Sequence, residues 1–373
     1  MSRDWVLVSD GGTGGSRDCL VAARGLRAGG YRVAVTVSHP SKLHPPSRYC
    51  ARRIEVPAAW EPGYADAVRG ELDSGGYLAV IPASEEALVA LGMGHARVAG
   101  KAALERAARA AGISVPPSRS FATAAEVAAG AAELTYPCVV KPDARRYHAF
   151  RADTPEALMR ALPDDGAVVV QRYVGAGLRA VAGVMWRGRM VAAEHERWLR
   201  IWPSDCGLAS AAVTAAPDRG LEERLAALME GYEGLFCAQL AGDDLFDLNL
   251  RIHSSHSLAV KAGANLVALL CDLVRGEAVS EVRARPGFFY RWLEADARHV
   301  ASALRSGRMT PGAAIKALAP RPGAAHSTES LLDPGPVAAR LVYSLRRARL
   351  SEEERRGGSG VRRIPAEEVS DRA

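Results

Sequence analysis

The segment LFDLNLRIH, from Leu245 to His253, alternates between apolar and polar residues. Its polar positions include Asp247, Asn249 and Arg251, and an apolar residue precedes each of them. Successive side chains along a β-strand point to opposite faces, so this pattern predicts a strand with one apolar face toward the core. The other face would carry a carboxylate, an amide and a guanidinium in a row, which raises the question of a chemical role.

The residues before this segment predict the other half of a β-hairpin, with its turn at Gly242–Asp244. The hairpin would return Gln239 to the vicinity of Asp247, at an even spacing that is compatible with one shared face. Gln239, Asp247 and Asn249 would then offer oxygen atoms to a hard cation such as Mg²⁺, and Arg251 could hold a phosphate. These residues alone leave open an ordinary amphipathic strand with its polar face toward solvent.

Composition and charge are those of an ordinary globular protein. Of the 373 residues, 48% are apolar and 24% are charged, which suits two or three domains. We find no run of about 20 apolar residues and no signal-peptide pattern, and we therefore expect a cytoplasmic protein without a membrane partner. The net charge of +6 is spread along the chain, so nucleic acid is not an expected partner. The six cysteines have no CxxC spacing and are typical of free thiols.

Lysine is rare in this chain. Five of the 48 basic residues are lysines, so arginine is the usual cation. A lysine in such a background indicates a position where a compact ammonium group is needed. Lys101 opens a predicted helix and Lys141 lies in a predicted strand, which makes both of them candidates for a binding role.

The glycine-rich segment GGTGG, residues 11–15, invites a dinucleotide-binding interpretation. Gly12 and Gly14 match the first half of the GxGxxG fingerprint, but Arg17 takes the third glycine position and no acid follows the second strand. This pattern argues against a nicotinamide-dependent oxidoreductase. A tight strand-to-helix turn is favoured, and an anion site at the helix N-terminus stays open.

Taken in order, several segments resemble the ATP-grasp superfamily of carboxylate–amine ligases, over roughly residues 3–280. The closest resemblance is to the branch related to the carbamoyl phosphate synthase large chain and to peptide or amino-acid ligases. LFDLNLRIH is similar to the family's Glu-x-Asn-Pro-Arg signature. The other similar segments are GKAALERAARAAGISVP (100–116), YPCVVKP (136–142), VVVQRYVGAG (168–177) and EHERWLRIWPSDCGLAS (194–210).

The resemblance implies a fold of mixed α/β and α+β class, an ATP-grasp fold with an N-terminal Rossmann-like pre-ATP-grasp domain. The strand–helix alternation near the N-terminus independently predicts a parallel sheet there. The expected parts are a pre-ATP-grasp domain at 1–95, two ATP-grasp lobes that clamp ATP at 96–280, a C-terminal helical extension at 281–350 and a disordered tail at 351–373.

The resemblance also implies how the cofactors would be held. The family's two phosphate-binding lysines match Lys101 and Lys141. The hinge that holds adenine matches Gln171, Arg172, Tyr173 and Val174. The positions that would bind Mg²⁺ or Mn²⁺ are Gln239, Asp247 and Asn249. The catalytic groups would be Arg251 together with Arg197 or Arg200, which would stabilise the tetrahedral oxyanion and the leaving phosphate.

The implied activity is an ADP-forming ligation. A small carboxylate, from an amino acid or a peptide, would be activated as an acyl phosphate and joined to an amine. The expected partners are these two small molecules, and a homodimer is left open. The arginines at 145, 146, 197 and 200 predict an anionic donor.

Some positions depart from the family pattern. Asp247 replaces the signature glutamate and Leu250 the proline, while Arg172 and Arg179 stand near positions where relatives have acids. The loop DARRYHAF after Lys141 lacks the usual glycines and offers Arg145, Arg146 and His148 instead. The alternative hypothesis is therefore a degenerate relative that binds nucleotide or serves as a non-catalytic partner.

Overall fold

A computed structural model of the chain describes residues 4–10, 16–38, 47–142, 149–162 and 166–342. The GGTGG segment, the arginines at 145 and 146 with His148, and the tail 351–373 lie outside the described residues. Three β-sheets organise the rest. Among the described helices, none combines the length and apolar character needed to cross a bilayer.

The first sheet is parallel and follows the predicted alternation of strands and helices. Its strand order is β3–β2–β1–β4, with β1 (Trp5–Ser9), β2 (Arg32–Val37), β3 (Arg52–Glu55) and β4 (Tyr77–Pro82). Helices α1 (Arg17–Ala28), α2 (Tyr64–Gly75) and α3 (Glu85–Ala90) lie between these strands in the chain. β1 is buried throughout, because helices cover both faces of such a sheet and its strands become continuous apolar runs.

The second sheet is small and antiparallel. Its order is β5–β8–β6–β7, with β5 (Ser118–Phe121), β6 (Cys138–Pro142), β7 (Phe150–Ala152) and β8 (Val168–Arg172). Helix α4 (Lys101–Ala110) precedes it, and α5 (Ala124–Ala129) and α6 (Pro155–Ala161) connect its strands. Val127 and Leu158 from the two connecting helices are fully buried against Val140 and Val168 of the sheet.

The third sheet is the largest and supplies most of the candidate site. It contains β9 (Leu178–Trp186), β10 (Arg189–Trp202), β11 (Leu208–Thr214), β12 (Gly234–Ala241), β13 (Asp244–Asn249), β14 (Val282–Arg283), β15 (Phe289–Arg291) and β16 (Ala325–His326). The order is β13–β12–β9–β10–β11–β15–β16, and β14 pairs with β10. Helices α7 (Arg219–Leu228), α8 (His256–Lys261), α9 (Leu266–Val274), α10 (Leu293–Arg305) and α11 (Pro311–Leu318) complete this part.

The turn between β9 and β10 follows the hairpin that the sequence predicts. Arg187 and Gly188 both have positive φ angles, of 48° and 74°. Two-residue turns with positive φ match the right-handed twist of the strands that they join. The turn therefore fixes the register of the long strand β10 against β9. β10 contains the buried acids Glu194 and Glu196.

The C-terminal segment differs from the predicted helical extension. Besides α10, α11 and a helical stretch described over 335–342, it contributes the strands β14, β15 and β16 to the third sheet. Strands of two or three residues are too short to give a visible alternation, so pairing with β10 and β11 creates them. Asp333 also accepts hydrogen bonds from Arg24 and Ser47, which joins this segment to the first sheet. The predicted domain boundaries stay predictions.

Candidate active site

A cavity of about 360 Å³ lies between the second sheet and the third. Strands β6 and β8 and the segment after β8 form one side, and β10, β12 and β13 form the other. Nine of the residues predicted from the sequence line it: Lys141, Gln171, Arg172, Tyr173, Val174, Gln239, Asp247, Asn249 and Arg251.

The proposed metal positions share one wall of this cavity. Gln239 lies directly opposite Asp247 in the β12–β13 pair, as the even spacing predicted. Asn249 is two residues further along β13, and its Nδ2 donates to Oδ2 of Asp247 at 2.9 Å. The amide of Asn249 therefore orients the carboxylate toward the two lysines.

Lys101 and Asp247 form an ion pair that joins α4 to β13. Burial alone would raise the pKa of Asp247, but the ammonium groups of Lys101 and Lys141 outweigh it and hold the pKa well below its usual range. Asp247 is thus a fixed negative charge at neutral pH. Lys101 itself reaches the wall through this pair rather than by lining the cavity.

Lys141 extends from the second sheet to the third. Its Nζ donates to the carbonyl oxygen of Phe246 at 2.9 Å. Burial, with the neighbouring ammonium of Lys101, lowers the pKa of Lys141 to about 8. The two lysines, 40 residues apart in the chain, thus both lower the pKa of Asp247, and only Lys101 forms an ion pair with it. A pair of ammonium groups so close together is suited to a polyanion such as a triphosphate.

The hinge residues occupy the connection between the second sheet and the third. Gln171, the last residue but one of β8, is buried, and Tyr173 donates its backbone N–H to the carbonyl oxygen of Pro137 at 3.0 Å. Tyr173 and Val174 give the cavity an apolar rim. Arg172 lies 3.5 Å from Asp244, so the guanidinium that replaces the expected acid already has a carboxylate partner.

Arg251 lies where the cavity meets the N-terminal sheet. Its Nη1 donates to Asp18 of α1 at 2.5 Å and to the carbonyl oxygen of Ile252 at 2.9 Å. Its Nε is buried without a hydrogen-bond partner among the described residues. Arg251 therefore keeps a donor for an oxygen atom of a bound anion.

Arg197 and Arg200 do not line either cavity of the described residues, and the catalytic role proposed for one of them stays a prediction. Arg197 is exposed on β10. Arg200 donates from Nε and Nη2 to Asp296 of α10, at 2.6 and 2.9 Å. For Arg200 the reason is a bulge between Trp198 and Arg200 that shifts the register of β10 against β11. Arg197 precedes the bulge, and regular alternation places it on the face opposite Trp198.

The donor set of the metal wall fits one hard cation. Mg²⁺ bound with ATP commonly takes one or two protein carboxylates, and its other ligands are phosphate oxygens and water. Asp247 supplies an ionised carboxylate, and Gln239 and Asn249 each have an amide oxygen on the same wall. Within the described ranges no group of three His, Cys, Asp or Glu residues could hold a metal without such help. The residues present therefore fit a single ion shared with phosphate.

Sequence reasoning missed a second, smaller cavity behind the metal wall. Its volume is about 50 Å³, and it shares Trp198, Leu208, Gln239, Asn249 and Arg251 with the larger one. Asp18, Glu196, His253 and Ser255 are among its other lining residues. A signal for Glu196 was present in the sequence, since Glu194, Glu196 and Trp198 fall on one face of a predicted strand.

Comparison with solved structures gives the fold a name. An L-amino acid ligase from Bacillus licheniformis matches with a TM-score of 0.53 and 14% identity, over 74% of this chain and 75% of its own. A carboxyaminoimidazole ribonucleotide synthase from Aspergillus clavatus, solved with ATP, matches with a TM-score of 0.58 and 17% identity, over 83% and 87%. A biotin carboxylase from Campylobacter jejuni, solved with an ATP compound, matches with a TM-score of 0.52 and 14% identity, over 73% and 71%.

No protein-family model and no curated protein matches the sequence. The structural neighbours are ATP-grasp carboxylate–amine ligases, and the chain has the ATP-grasp fold, with the mixed α/β and α+β architecture that the sequence predicted. The neighbours are three different enzymes, so what they share with this chain is the fold and not one branch of the superfamily.

Proposed function

We propose that this protein is an ATP-dependent, ADP-forming ligase that activates a small carboxylate as an acyl phosphate and joins it to an amine. The observation that carries the proposal is the ion pair of Lys101 with Asp247 on the wall of a cavity that Lys141 also lines. The hinge that would hold adenine lines another part of the same cavity. Phosphate-binding cations, a metal-binding wall and an apolar base site are what phosphoryl transfer from ATP requires.

Each group has a definite task in this proposal. Lys141 and Lys101 would bind the phosphate chain, and Tyr173 and Val174 would pack against the base. Gln239, Asp247 and Asn249 would hold Mg²⁺ or Mn²⁺, which when bound neutralises negative charge on the phosphates. Lys101 and Lys141 both contact β13, the strand that carries Asp247 and Asn249, so the γ-phosphate would lie close to the metal wall.

Arg251 would act on the reacting carboxylate. Its Nε makes no hydrogen bond among the described residues, although Glu85 lies 3.9 Å away, and it can donate to an oxygen of the acyl phosphate. Asp18 fixes the other side of the guanidinium. A donor in a buried position stabilises the oxyanion of the tetrahedral adduct and the phosphate that leaves. The reaction needs no protein nucleophile, because ATP itself activates the carboxylate.

The donor that we propose is an amino acid or a peptide, and the support for this choice is the similarity to an L-amino acid ligase. The prediction of an anionic donor rested on four arginines, and two of them, Arg197 and Arg200, do not line the cavity. The remaining arginines of that set, at 145 and 146, lie outside the described residues. The acceptor is an amine. A cytoplasmic location and the open question of a homodimer stay predictions.

The test is ADP release by the purified protein with Mg·ATP and pooled amino acids. We expect release that depends on the pool and that disappears in Asp247→Ala. The matched control is Asp243→Ala, which removes an exposed carboxylate from the same hairpin, 93% accessible and paired with Arg179. Splitting the pool then identifies the two substrates. If wild-type protein binds Mg·ATP but releases ADP at the background rate with every pool, the ligase proposal fails for amino acids.

A second candidate is a nucleotide-binding protein without turnover. It is favoured by the single carboxylate on the described metal wall and by Arg179, which pairs with Asp243 near a position where relatives have a ribose-binding acid. For the wild type, this candidate predicts that Mg·ATP raises the melting temperature and that no ADP is released. It also predicts that Asp247→Ala leaves unchanged the function of any protein that binds this chain. Turnover with any pool would contradict it.

A further inference from the structure

The small cavity behind the metal wall contains two buried acceptor atoms that have no hydrogen-bond partner among the described residues. They are Oε2 of Glu196 and Nε2 of His253, and both residues line the cavity. Buried polar atoms are nearly always paired, so two of them at one cavity indicate a missing ligand. The other oxygen of Glu196 is occupied, since it accepts from Trp198 Nε1 at 2.7 Å and from Ser255 Oγ at 3.1 Å.

The hydrogen-bond chain fixes which atoms of this site can donate. A carboxylate oxygen only accepts, so the hydroxyl hydrogen of Ser255 points to Glu196. Ser255 Oγ must then accept from His253, whose Nδ1 is 2.9 Å away. His253 therefore carries its proton on Nδ1 and presents a lone pair on Nε2. Burial lowers the pKa of His253 well below its ordinary value, with smaller contributions from His256 and Arg251, so the ring is neutral.

These two acceptor atoms call for a ligand that brings hydrogen atoms. Nε of Arg251, which also lines the cavity, is a donor and is left for an oxygen of the acyl group. A carboxylate or a phosphate would place its own acceptor oxygens against Oε2 of Glu196 and the Nε2 lone pair of His253, which are also acceptors. An ammonium group can donate a hydrogen bond to both atoms. The volume of about 50 Å³ accepts a group of the size of ammonium or methylammonium. The shared lining residues place the cavity next to Arg251 and the metal wall.

We propose that this cavity is the site of the nucleophilic amine, with Glu196 and His253 as its ligands and Glu196 as the group that takes up its proton. This inference rests on the proposed ligase function. The amine is either ammonia itself or the amino end of a larger acceptor, and both have the same chemistry at this position.

The chemistry balances as follows for an acceptor written R–NH₃⁺. One proton passes from nitrogen to Oε2 of Glu196, which leaves a lone pair on the amine. That lone pair forms the new N–C bond at the acyl carbon, and the C–O bond to phosphate breaks with its electron pair on oxygen. The departing phosphate takes the second proton from nitrogen. Burial raises the pKa of Glu196 to about 7, which suits a carboxylate that exchanges a proton near neutral pH.

The binding test uses Trp198, whose indole N–H touches Glu196. In protein labelled with ¹⁵N at tryptophan, its resonance is identified with Trp198→Phe. We expect methylammonium chloride to shift that resonance saturably in the wild type, whereas tetramethylammonium chloride, which has no N–H donor, leaves it in place. Glu196→Gln should lose the response. Glu194→Gln removes a buried acid two residues away that does not line the cavity, and it should keep the response.

Three results would overturn the proposal: no response to methylammonium, an equal response to tetramethylammonium, or an unchanged response in Glu196→Gln. A buried water that satisfies both atoms gives the first of these. Ammonium chloride and amino acids are then titrated separately. Saturation by ammonium that amino acids do not compete with identifies ammonia, and competition identifies the amino end of a larger acceptor.

The activity test separates this inference from the ligase proposal. Positional isotope exchange within ATP, with carboxylate present and amine absent, reports the acyl phosphate alone. We expect Glu196→Gln to keep this exchange and to raise KM for the amine by at least about tenfold, with KM for ATP within about twofold. No exchange in the wild type would count against the ligase proposal and leave the binding result intact. Unchanged KM for the amine in Glu196→Gln would count against the amine site alone.

Discussion

The ammonium group of Lys101 and the carboxylate of Asp247 form an ion pair although the two residues are 146 positions apart in the chain. The pair brings α4 against the metal wall of the larger cavity. It also means that one residue proposed to bind phosphate neutralises a residue proposed to bind metal. Phosphate and metal must separate the two when they bind, so the two binding events are coupled.

Substitution of Lys101 should therefore change metal and nucleotide affinity in opposite directions. In Lys101→Met, Asp247 loses a competing cation, and Mn²⁺ alone should bind up to about fivefold more tightly, as expected for a partly exposed ion pair. ATP should bind more weakly, because a phosphate contact is lost. Isothermal titration of each ligand alone gives both affinities. Lys101→Arg, which keeps the charge, is the control, and weaker Mn²⁺ binding in Lys101→Met would contradict the coupling.

Nucleotide affinity should fall as the pH rises through about 8, the pKa to which burial and Lys101 lower Lys141. The protonated form binds phosphate, so its loss weakens the complex above that pH. Bound phosphate favours the charged form and moves the midpoint upward. The measurement is Kd for Mg·ATP across this range. Lys141→Arg stays charged at every pH used, and its Kd should be flat there. A pH dependence equal to that of the wild type in Lys141→Arg would assign the titration to another group.

Arg200 should matter for stability rather than for substrate affinity. It pairs with Asp296, which is fully buried and also lies 3.1 Å from Arg291. Asp296→Ala leaves two cations without their carboxylate and should lower the free energy of unfolding by about 3–5 kcal/mol. Arg197→Ala, at an exposed position of the same strand, should stay within about 0.5 kcal/mol. Urea unfolding measures both. If Arg200→Ala raised KM for a substrate without lowering the free energy of unfolding, that result would support the catalytic role predicted from the sequence.

Acid should destabilise the fold partly through Glu222. Burial alone would raise its pKa, but hydrogen bonds from His195 and Arg283, with the charge of Arg283, lower it to about 2. A carboxylate with a lowered pKa in the folded state stabilises the fold above its ordinary pKa of 4.5 and loses that effect as the pH falls toward 2. Glu222→Gln should therefore lose less stability on acidification over this window than the wild type. Urea unfolding at several pH values tests this, with the exposed Glu223→Gln as control.

The hairpin shows why part of the site was readable in the sequence. Its alternation is unbroken from Phe246 to Arg251, and this two-residue period alone places Asp247 and Asn249 on one face. β10 lacks such an alternation of apolar and polar residues, but its regular register up to Trp198 puts the buried acids Glu194 and Glu196 on one face. Beyond Trp198 the bulge interrupts the regular alternation of side chains between the two faces. Arg200 therefore pairs with Asp296 and does not line the cavity. A bulge is a feature of pairing between strands and leaves little trace in one strand's sequence.

The sequence by itself determined the order of strands and helices, the hairpin that opposes Gln239 to Asp247, and the lysines kept among many arginines. Those features follow from local periodicity and from residue chemistry, which any short segment carries. Only the tertiary structure decided that Lys101 pairs with Asp247, that Arg200 forms an ion pair with Asp296, and that Glu196 and His253 line the same small cavity. Each of these contacts joins residues far apart in the chain, and their meeting depends on how sheets and helices pack, which no local pattern specifies.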